Sequence, residues 1–351
     1  MGIRLLMPAD VPQVVSLWNE SLLAGETVLA PLTEQDFHEV FPDNPDYNGK
    51  YSFVREEDGA VVGFINGVAK KNFLPGETPE NTPGYLTCIF VRHDCRRRGI
   101  GASLESALAD AFRSEGKKTI ACNGDGDPIH LRWIIPGTPG HDHNKAPGMD
   151  TDCPGYPFLL SQGYTEKARE IAMYLNLSEY EPWTELECKR QQLLEQGIYT
   201  GRYDSSIPCE YDRMCDRVGK EYWRFVIRSE VACHKTGMPN TDPLMLPDPG
   251  KIPAGPRPLL VATHEGHIVA FTGPVDLQKS GRGWFCGICT DPMYERRGIA
   301  SVLFNLLIQE FIAEGASFST LFTGETNHAQ RIYQRAGFRT VRRFGIMEKT
   351  L

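Results

Sequence analysis

No apolar run in this chain approaches the roughly 20 residues that a membrane-spanning helix requires. The opening stretch, Met1 to Asp10, is short and turns polar too soon to read as a secretory signal. Leu6 stands where a myristoylation motif calls for Ser or Thr. No membrane partner is therefore expected. Positive charge is also scarce: the formal net charge is −8 and the pI is near 5.7. That balance argues against nucleic acid as a partner. It is compatible with a cationic, amine-bearing substrate. A second CxxC pair is missing too. Cys286 and Cys289 have that spacing alone, and in a strand they point to opposite faces. They read as packed strand cysteines, and no metal site is expected. Without an export signal, the 10 cysteines read as reduced thiols of a cytoplasmic protein.

What is present is an ordinary globular composition over 351 residues, 41% hydrophobic and 23% charged, a length that suits two domains. A short turn occurs twice. The first copy is Arg96-Arg97-Arg98-Gly99-Ile100-Gly101 and the second is Glu295-Arg296-Arg297-Gly298-Ile299-Ala300. Each follows a β-prone run and opens an amphipathic helix. A basic turn with glycine at a helix start can hold phosphate, because its N–H groups point outward and the helix N-terminus favours negative charge.

The surrounding pattern repeats as well. In the first half, Ile3 to Met7 reads as a strand and Asp10 as a helix N-cap. Tyr51–Arg55 and Val61–Val68 read as a hairpin around Glu57-Asp58-Gly59, followed by a strand from Tyr85 to Arg92. A helix follows the turn, then a strand from Lys118 to Cys122 and a last strand from Ala168 to Leu177. In the second half, one long helix is expected from Tyr211 to Ala232 and a hairpin around Glu265-Gly266. A continuous strand from Trp284 to Thr290, the second turn, a helix from Asn327 to Arg335 and a closing strand from Thr340 to Glu348 complete it. Gly99 and Gly163 lie 64 positions apart, whereas Gly298 and Gly337 lie 39 apart. The excess falls within an irregular Gly-, Pro-, Asp- and His-rich insertion at about 124–157. These features divide the chain into a first domain at 1–180, a connecting segment at 181–196 and a second domain at 197–351.

The order strand, helix, hairpin, strand, Arg/Gln-x-x-Gly-x-Gly/Ala turn, helix, strand, helix with Tyr and Gly-Phe, strand resembles the GNAT family of acyl-CoA-dependent N-acyltransferases. The resemblance runs over nearly the whole chain as two tandem copies, the arrangement typified by the mycothiol synthases. It implies an α/β (α+β) fold with two GNAT domains, each a mixed, mostly antiparallel twisted sheet flanked by helices. It also implies acetyl-CoA as cofactor and direct transfer, in a ternary complex, to the amine of a small molecule by a monomer or homodimer. Coenzyme A would be held by Arg96, Arg97, Arg98, Gly99, Ile100, Gly101 and Ala102 in the first copy. In the second it would be held by Arg296, Arg297, Gly298, Ile299 and Ala300. The preceding strands would splay at Ile89, Phe90 and Val91 and at Ile288, Cys289 and Thr290, freeing backbone groups for the pantetheine arm. Glu295 departs from the Arg or Gln expected at its position.

In this family the departing thiolate usually takes its proton from a Tyr on the helix after the splay. Ala329, Tyr333, Gly337 and Phe338 match that pattern, which makes Tyr333 the expected general acid. Asn327 lies one residue from the family's Asn position, which holds Thr326, and is expected near the cofactor. The equivalent of Tyr333 in the first half is Leu159, which cannot donate a proton. Glu325 is the nearest candidate base and His328 another, with a water chain equally open. Chemistry is therefore expected in the second half. Catalysis in the first half, or a non-catalytic module that senses CoA or a metabolite, remain the alternatives. The insertion carries Asp125, Asp127, His130, His141, Asp142, His143, Asp150 and Asp152. It reads as a lid or substrate loop, with Trp133 and Tyr156 available to line a pocket.

Overall fold

The computed structural model describes residues 2–74, 76–124, 126–248 and 251–351. The chain forms two compact units, Met1–Ala172 with Val341–Leu351, and Met173–Thr340. The repeat in the sequence suggested a cut near 180 and a second domain running to 351. The units divide otherwise, because the closing strand pairs within the first.

Unit 1 is built from β1 (Ile3–Leu5), α1 (Val11–Leu23), α2 (Glu34–Val40), β2 (Ser52–Glu57), β3 (Ala60–Val68), β4 (Gly84–Val91), α3 (Ile100–Ser114) and β5 (Thr119–Cys122). The insertion contributes β6 (Trp133–Ile134), β7 (Asp142–His143) and β8 (Met149–Asp150), then α4 (Gly155–Ser161) and β9 (Thr165–Asn176) follow. The strand order is β1-β2-β3-β4-β5. β5 is joined antiparallel by the closing strand, with Met347 opposite Cys122 and Thr350 opposite Thr119. One face of the sheet buries Val54, Phe64 and Val68 under Trp18, Phe37 and Phe41. The other buries Ile65 and Leu86 under Leu104, Leu108 and Phe112 of α3. The β2–β3 turn is as read, with Asp58 (φ 50°) and Gly59 (φ 79°) both left-handed.

Two expectations change here. Asp10 does not cap α1. Its carboxylate accepts from the Met7 N–H (2.8 Å) and pairs with Arg4 (2.6 Å), closing the turn before the helix. The insertion is not a structureless loop either. Ile129, Leu131, Trp133 and Ile135 are buried, Ile129 and Leu131 within the same core as Trp18 and Phe64. Asp125 lies outside the described residues. Among the described residues no group of three or more His, Cys, Asp and Glu stands together as a metal cluster.

Unit 2 begins with the end of β9 and contains α5 (Leu186–Glu195), β10 (Tyr199–Arg202), α6 (Asp212–Val218), α7 (Glu221–Thr236), β11 (Leu260–His264) and β12 (His267–Gly273). β13 (Asp276–Leu277), β14 (Arg282–Trp284), β15 (Gly287–Thr290), α8 (Ile299–Ala313), β16 (Phe318–Gly324) and α9 (Gln330–Arg335) follow, and β17 (Arg339–Thr350) leads out of the unit. The single helix expected from Tyr211 to Ala232 is two. Gly219 sits in the left-handed region (φ 66°) and ends the first of them. The segment 181–196, whose polar sequence reads as a helical connection, is helical in α5, which packs on β10 and α8. No described helix is long and apolar enough to cross a membrane.

The repeat extends into the packing. A β-carbon on Gly84 would meet the Phe112 ring at 2.6 Å, and one on Gly283 would meet Phe311 at 2.5 Å. In both units a glycine at the start of the strand before the turn lets the following helix lie close on the sheet.

Candidate active sites at two cradles

In each unit the chain leaves the strand through a short 3-10 turn and enters the helix through alternating left-handed residues. Arg97 has φ 60° and Gly99 φ 80°; Arg296 has φ 60° and Gly298 φ 85°. A left-handed arginine is strained, and its recurrence at equivalent positions marks a backbone shape held for a purpose. The amides from Arg97 to Ala102, and from Arg296 to Ser301, find no acceptor among the described residues. Such a run of unpaired N–H groups at a helix start forms a concave anion nest. This is the geometry the cradle residues require to hold a diphosphate.

The side chains around the two nests differ. Arg96, expected to face the cofactor, is bound elsewhere. Its guanidinium grips the Glu26 carboxylate at 2.6 and 2.5 Å, and its Nε donates to the Val91 carbonyl at 2.9 Å. That hydrogen bonding holds the Glu26 carboxyl below its ordinary range. Arg98 pairs with Glu57 at 3.0 Å. Arg97 and Arg296 are exposed, with no ion pair among the described residues. Arg297 stacks on the Tyr294 ring at 5.1 Å. Glu295 is exposed and points its charge to solvent.

The splay is present in both units. β4 pairs with β5 only over Gly84–Leu86, while β3 follows it to Val91. The register jumps between Cys88 and Leu86, so Thr87 is the extra residue of a bulge. Beyond Leu86 that edge of β4, along Cys88, Ile89, Phe90 and Val91, pairs with no strand among the described residues, and its Val91 carbonyl is taken by Arg96 Nε. In unit 2 the strand read as continuous from Trp284 to Thr290 is broken. β14 pairs with β16, and β15, with Ile288, Cys289 and Thr290, pairs with β12. The gap at Phe285-Cys286 is the splay itself.

Each splay has a buried carboxyl group that the sequence did not single out as a site residue. In unit 1 it is Asp127, 2% exposed, which accepts from Thr87 Oγ1 (3.1 Å) at the bulge and from the Ile129 N–H (2.8 Å). Burial pushes its pKa up to about 7. Asn66 lies in the same sheet face and is fully buried. Its Nδ2 donates to Ser52 (2.8 Å), while its Oδ1 has no partner among the described residues. In unit 2 the carboxylate is Glu230 on α7, 0% exposed. Its Oε1 takes donors from Arg257 and from Asn240 (2.8 Å), and Oε2 takes none among the described residues. Arg257 also binds Asp276 at 3.0 Å and lies over the Trp284 ring. The Glu230 carboxylate is thus engaged by a buried cation, whereas the Asp127 carboxyl leans toward its neutral form.

Tyr333 sits in α9 with its ring against Phe304 (4.9 Å) and Phe338 (6.5 Å). It is 6% exposed, and burial pushes its hydroxyl up to about 12. Leu159 takes the matching place in unit 1, fully buried in the core. Asn327 Oδ1 accepts from the Ala329 N–H at 2.9 Å and so shapes the entry to α9. Glu325 is exposed in the loop after β16, and His328 beside it is exposed as well. Neither has the burial that tunes a base.

A family model described as the acetyltransferase (GNAT) family matches residues 15–127 and again 229–338. No curated protein matches the chain. Among solved structures, the chain is similar over 99% of its length to a GCN5-related glucosamine N-acetyltransferase region of a fungal multi-domain GH3 β-N-acetylglucosaminidase, at 15% identity and TM-score 0.63. It spans only 38% of that protein. It is similar to a GCN5-related N-acetyltransferase from Sphaerobacter thermophilus at 16% identity and TM-score 0.60, covering 99% of this chain and 95% of that one. A tandem GNAT protein of the clavulanic acid biosynthesis pathway gives 16% identity and TM-score 0.53, covering 99% and 98%.

Proposed function

The chain belongs to the acetyltransferase (GNAT) family, and on that footing we propose that it transfers an acetyl group from acetyl-CoA to the amine of a small molecule, with the chemistry in unit 2. The observation that carries this reading is Tyr333. It lies on the helix that follows the splay, its hydroxyl makes no bond to another described side chain, and burial keeps it protonated. A tyrosine with those properties can give its proton to a departing thiolate. The free edge of β15 would polarise the thioester carbonyl as negative charge develops on its oxygen. The nest from Arg296 to Ser301 would hold the diphosphate. Glu325, Asn327 and the amine-bearing substrate complete the reading, Glu325 as a solvent-side proton acceptor.

A second reading places transfer in unit 1. Asp127 favours it, since a buried carboxyl titrating near neutrality at the splay suits a general base. The test separates the two. Tyr333→Phe should lower turnover by about 10²-fold while leaving CoA affinity nearly unchanged. CoA release would be followed with a panel of amines that includes glucosamine, a polyamine and an amino acid. Unaltered turnover in Tyr333→Phe, with loss in Asp127→Asn, would move the chemistry to unit 1. Tight acetyl-CoA binding without release on any amine would favour a sensing module.

A further inference from the structure

We propose that Lys189, on α5, is an additional phosphate-binding residue of the second cradle, supplying the cation that Glu295 fails to provide. The proposal rests on the reading of that cradle as a CoA diphosphate site. A β-carbon built on Gly298 would lie 2.7 Å from Lys189 Cε and 3.7 Å from its Nζ. The lysine stem therefore lies along the mouth of the nest, with its ammonium beside the first turn of α8. The equivalent space over Gly99 in unit 1 is open.

The placement is unfavourable by itself. The N-terminus of α8 carries partial positive charge, and the amides from Arg296 to Ser301 point outward unpaired. An ammonium set against that end is repelled unless an anion lies between them. Nothing among the described residues neutralises it. The Lys189 ammonium reaches only Gln192 Oε1, at 3.5 Å, and no carboxylate lies within ion-pair distance among the described residues. Glu187, the acidic neighbour on the same helix, is taken by Arg190 at 2.9 Å. A dianionic group such as a diphosphate would satisfy both the lysine and the amides at once.

The sequence motif alone could not reveal this residue. Lys189 lies more than a hundred positions before Gly298, in the segment read as a connection. It reaches the cradle because α5 packs on α8. The first cradle, whose loop already carries Arg96, Arg97 and Arg98, has no such helper at Gly99.

The test is a footprint on the full-length protein. Labelling of Lys189 by an amine-reactive ester is read by mass spectrometry, with CoA and with pantetheine, which lacks the phosphates. CoA should slow labelling of Lys189 at least about fivefold and pantetheine should not. Lys189→Gln should weaken CoA binding at unit 2 by about tenfold, most strongly at low salt, and Lys189→Arg should restore most of it. Hydrogen exchange of amides 296–301 reports in parallel whether CoA occupies the nest. Protection there, with Lys189 labelling and Lys189→Gln affinity unchanged, overturns the lysine's role alone. No protection overturns the second-cradle reading and this proposal together.

Discussion

The two units share a backbone and differ in where they keep their charges. Both cradles turn through the same pair of left-handed residues, and both sheets open at the same point. In unit 1 two of the cradle's three arginines, Arg96 and Arg98, are committed to Glu26 and Glu57, while the carboxyl group at the splay has no cation bonded to it among the described residues. In unit 2 the carboxylate at the splay is committed to Arg257, while the cradle's arginines have no carboxylate partner among the described residues. The proposed acid, Tyr333, is in unit 2; the buried carboxyl proposed as the alternative base, Asp127, is in unit 1. Duplication preserved the scaffold because the backbone geometry is required for the fold, whereas side chains at its mouth were free to diverge.

The largest expected effect breaks the comparison at the level of folding. Unit 1 needs the chain's last strand, and Met347 and Phe344 are buried there at 0% and 1% exposure. Removing residues 341–351 deletes both side chains and the ladder to β5. The loss of the two core residues alone costs about 5 kcal/mol or more, as much as the whole stability of many domains. Hydrogen exchange on the shortened chain should show protection lost in unit 1 and kept in unit 2. Equal loss in both would mean that the units fold as one cooperative body.

The next effect sharpens the contrast between the two carboxyl groups. Asp127 rises from 3.8 to about 7 on folding, so the native state binds a proton that the unfolded chain has lost. Stability should therefore fall as pH rises from about 4 to about 7, by at most about 4 kcal/mol, and level off above. Asp127→Asn should remove that slope and leave the protein more stable than wild type at pH 8. Glu230→Gln should do the reverse, since it strands the buried Arg257, at a cost of about 3 kcal/mol. Urea unfolding at pH 5 and pH 8 reads both. The same sign for the two variants would erase the difference drawn between the splays.

Much of this was legible in the sequence, and for local reasons. Glycine spacing, strand alternation and the helix after each turn are set by neighbouring residues, so the repeat, both cradles, the first splay and Tyr333 follow from short windows. The Asp58-Gly59 and Glu265-Gly266 turns are of that kind. What escaped depends on distance in the chain. Glu26 meets Arg96 across 70 positions, and Lys189 meets Gly298 across more than a hundred. Asp127 was visible only as one acid among many in the insertion; its burial against Thr87 gives it a chemistry of its own. The break at Gly219 was missed because amphipathic periodicity continues across it, while one left-handed residue ends the helix. Asp10 has an N-cap's sequence position, but Arg4 and the Met7 amide occupy its oxygens.

The smallest effect probes what the shared backbone costs. Arg97 and Arg296 have the same φ of 60°, a region that is unfavourable for a side chain by about 1 kcal/mol. Glycine would relieve that strain and lose part of the gain to its greater freedom in the unfolded chain. Arg97→Gly and Arg296→Gly should each raise stability by about 0.5 kcal/mol, a rise of about 1–2 °C in Tm for units of this size. The gain should be equal in the two units, because the backbone is the same. CoA affinity should not respond equally. Unit 1 loses the arginine of its turn that has no carboxylate partner, whereas unit 2 keeps Arg297 and Lys189 beside the nest. Equal stabilisation with unequal loss of binding would separate the two things the turn does: the conformation is common property, and the charge is local.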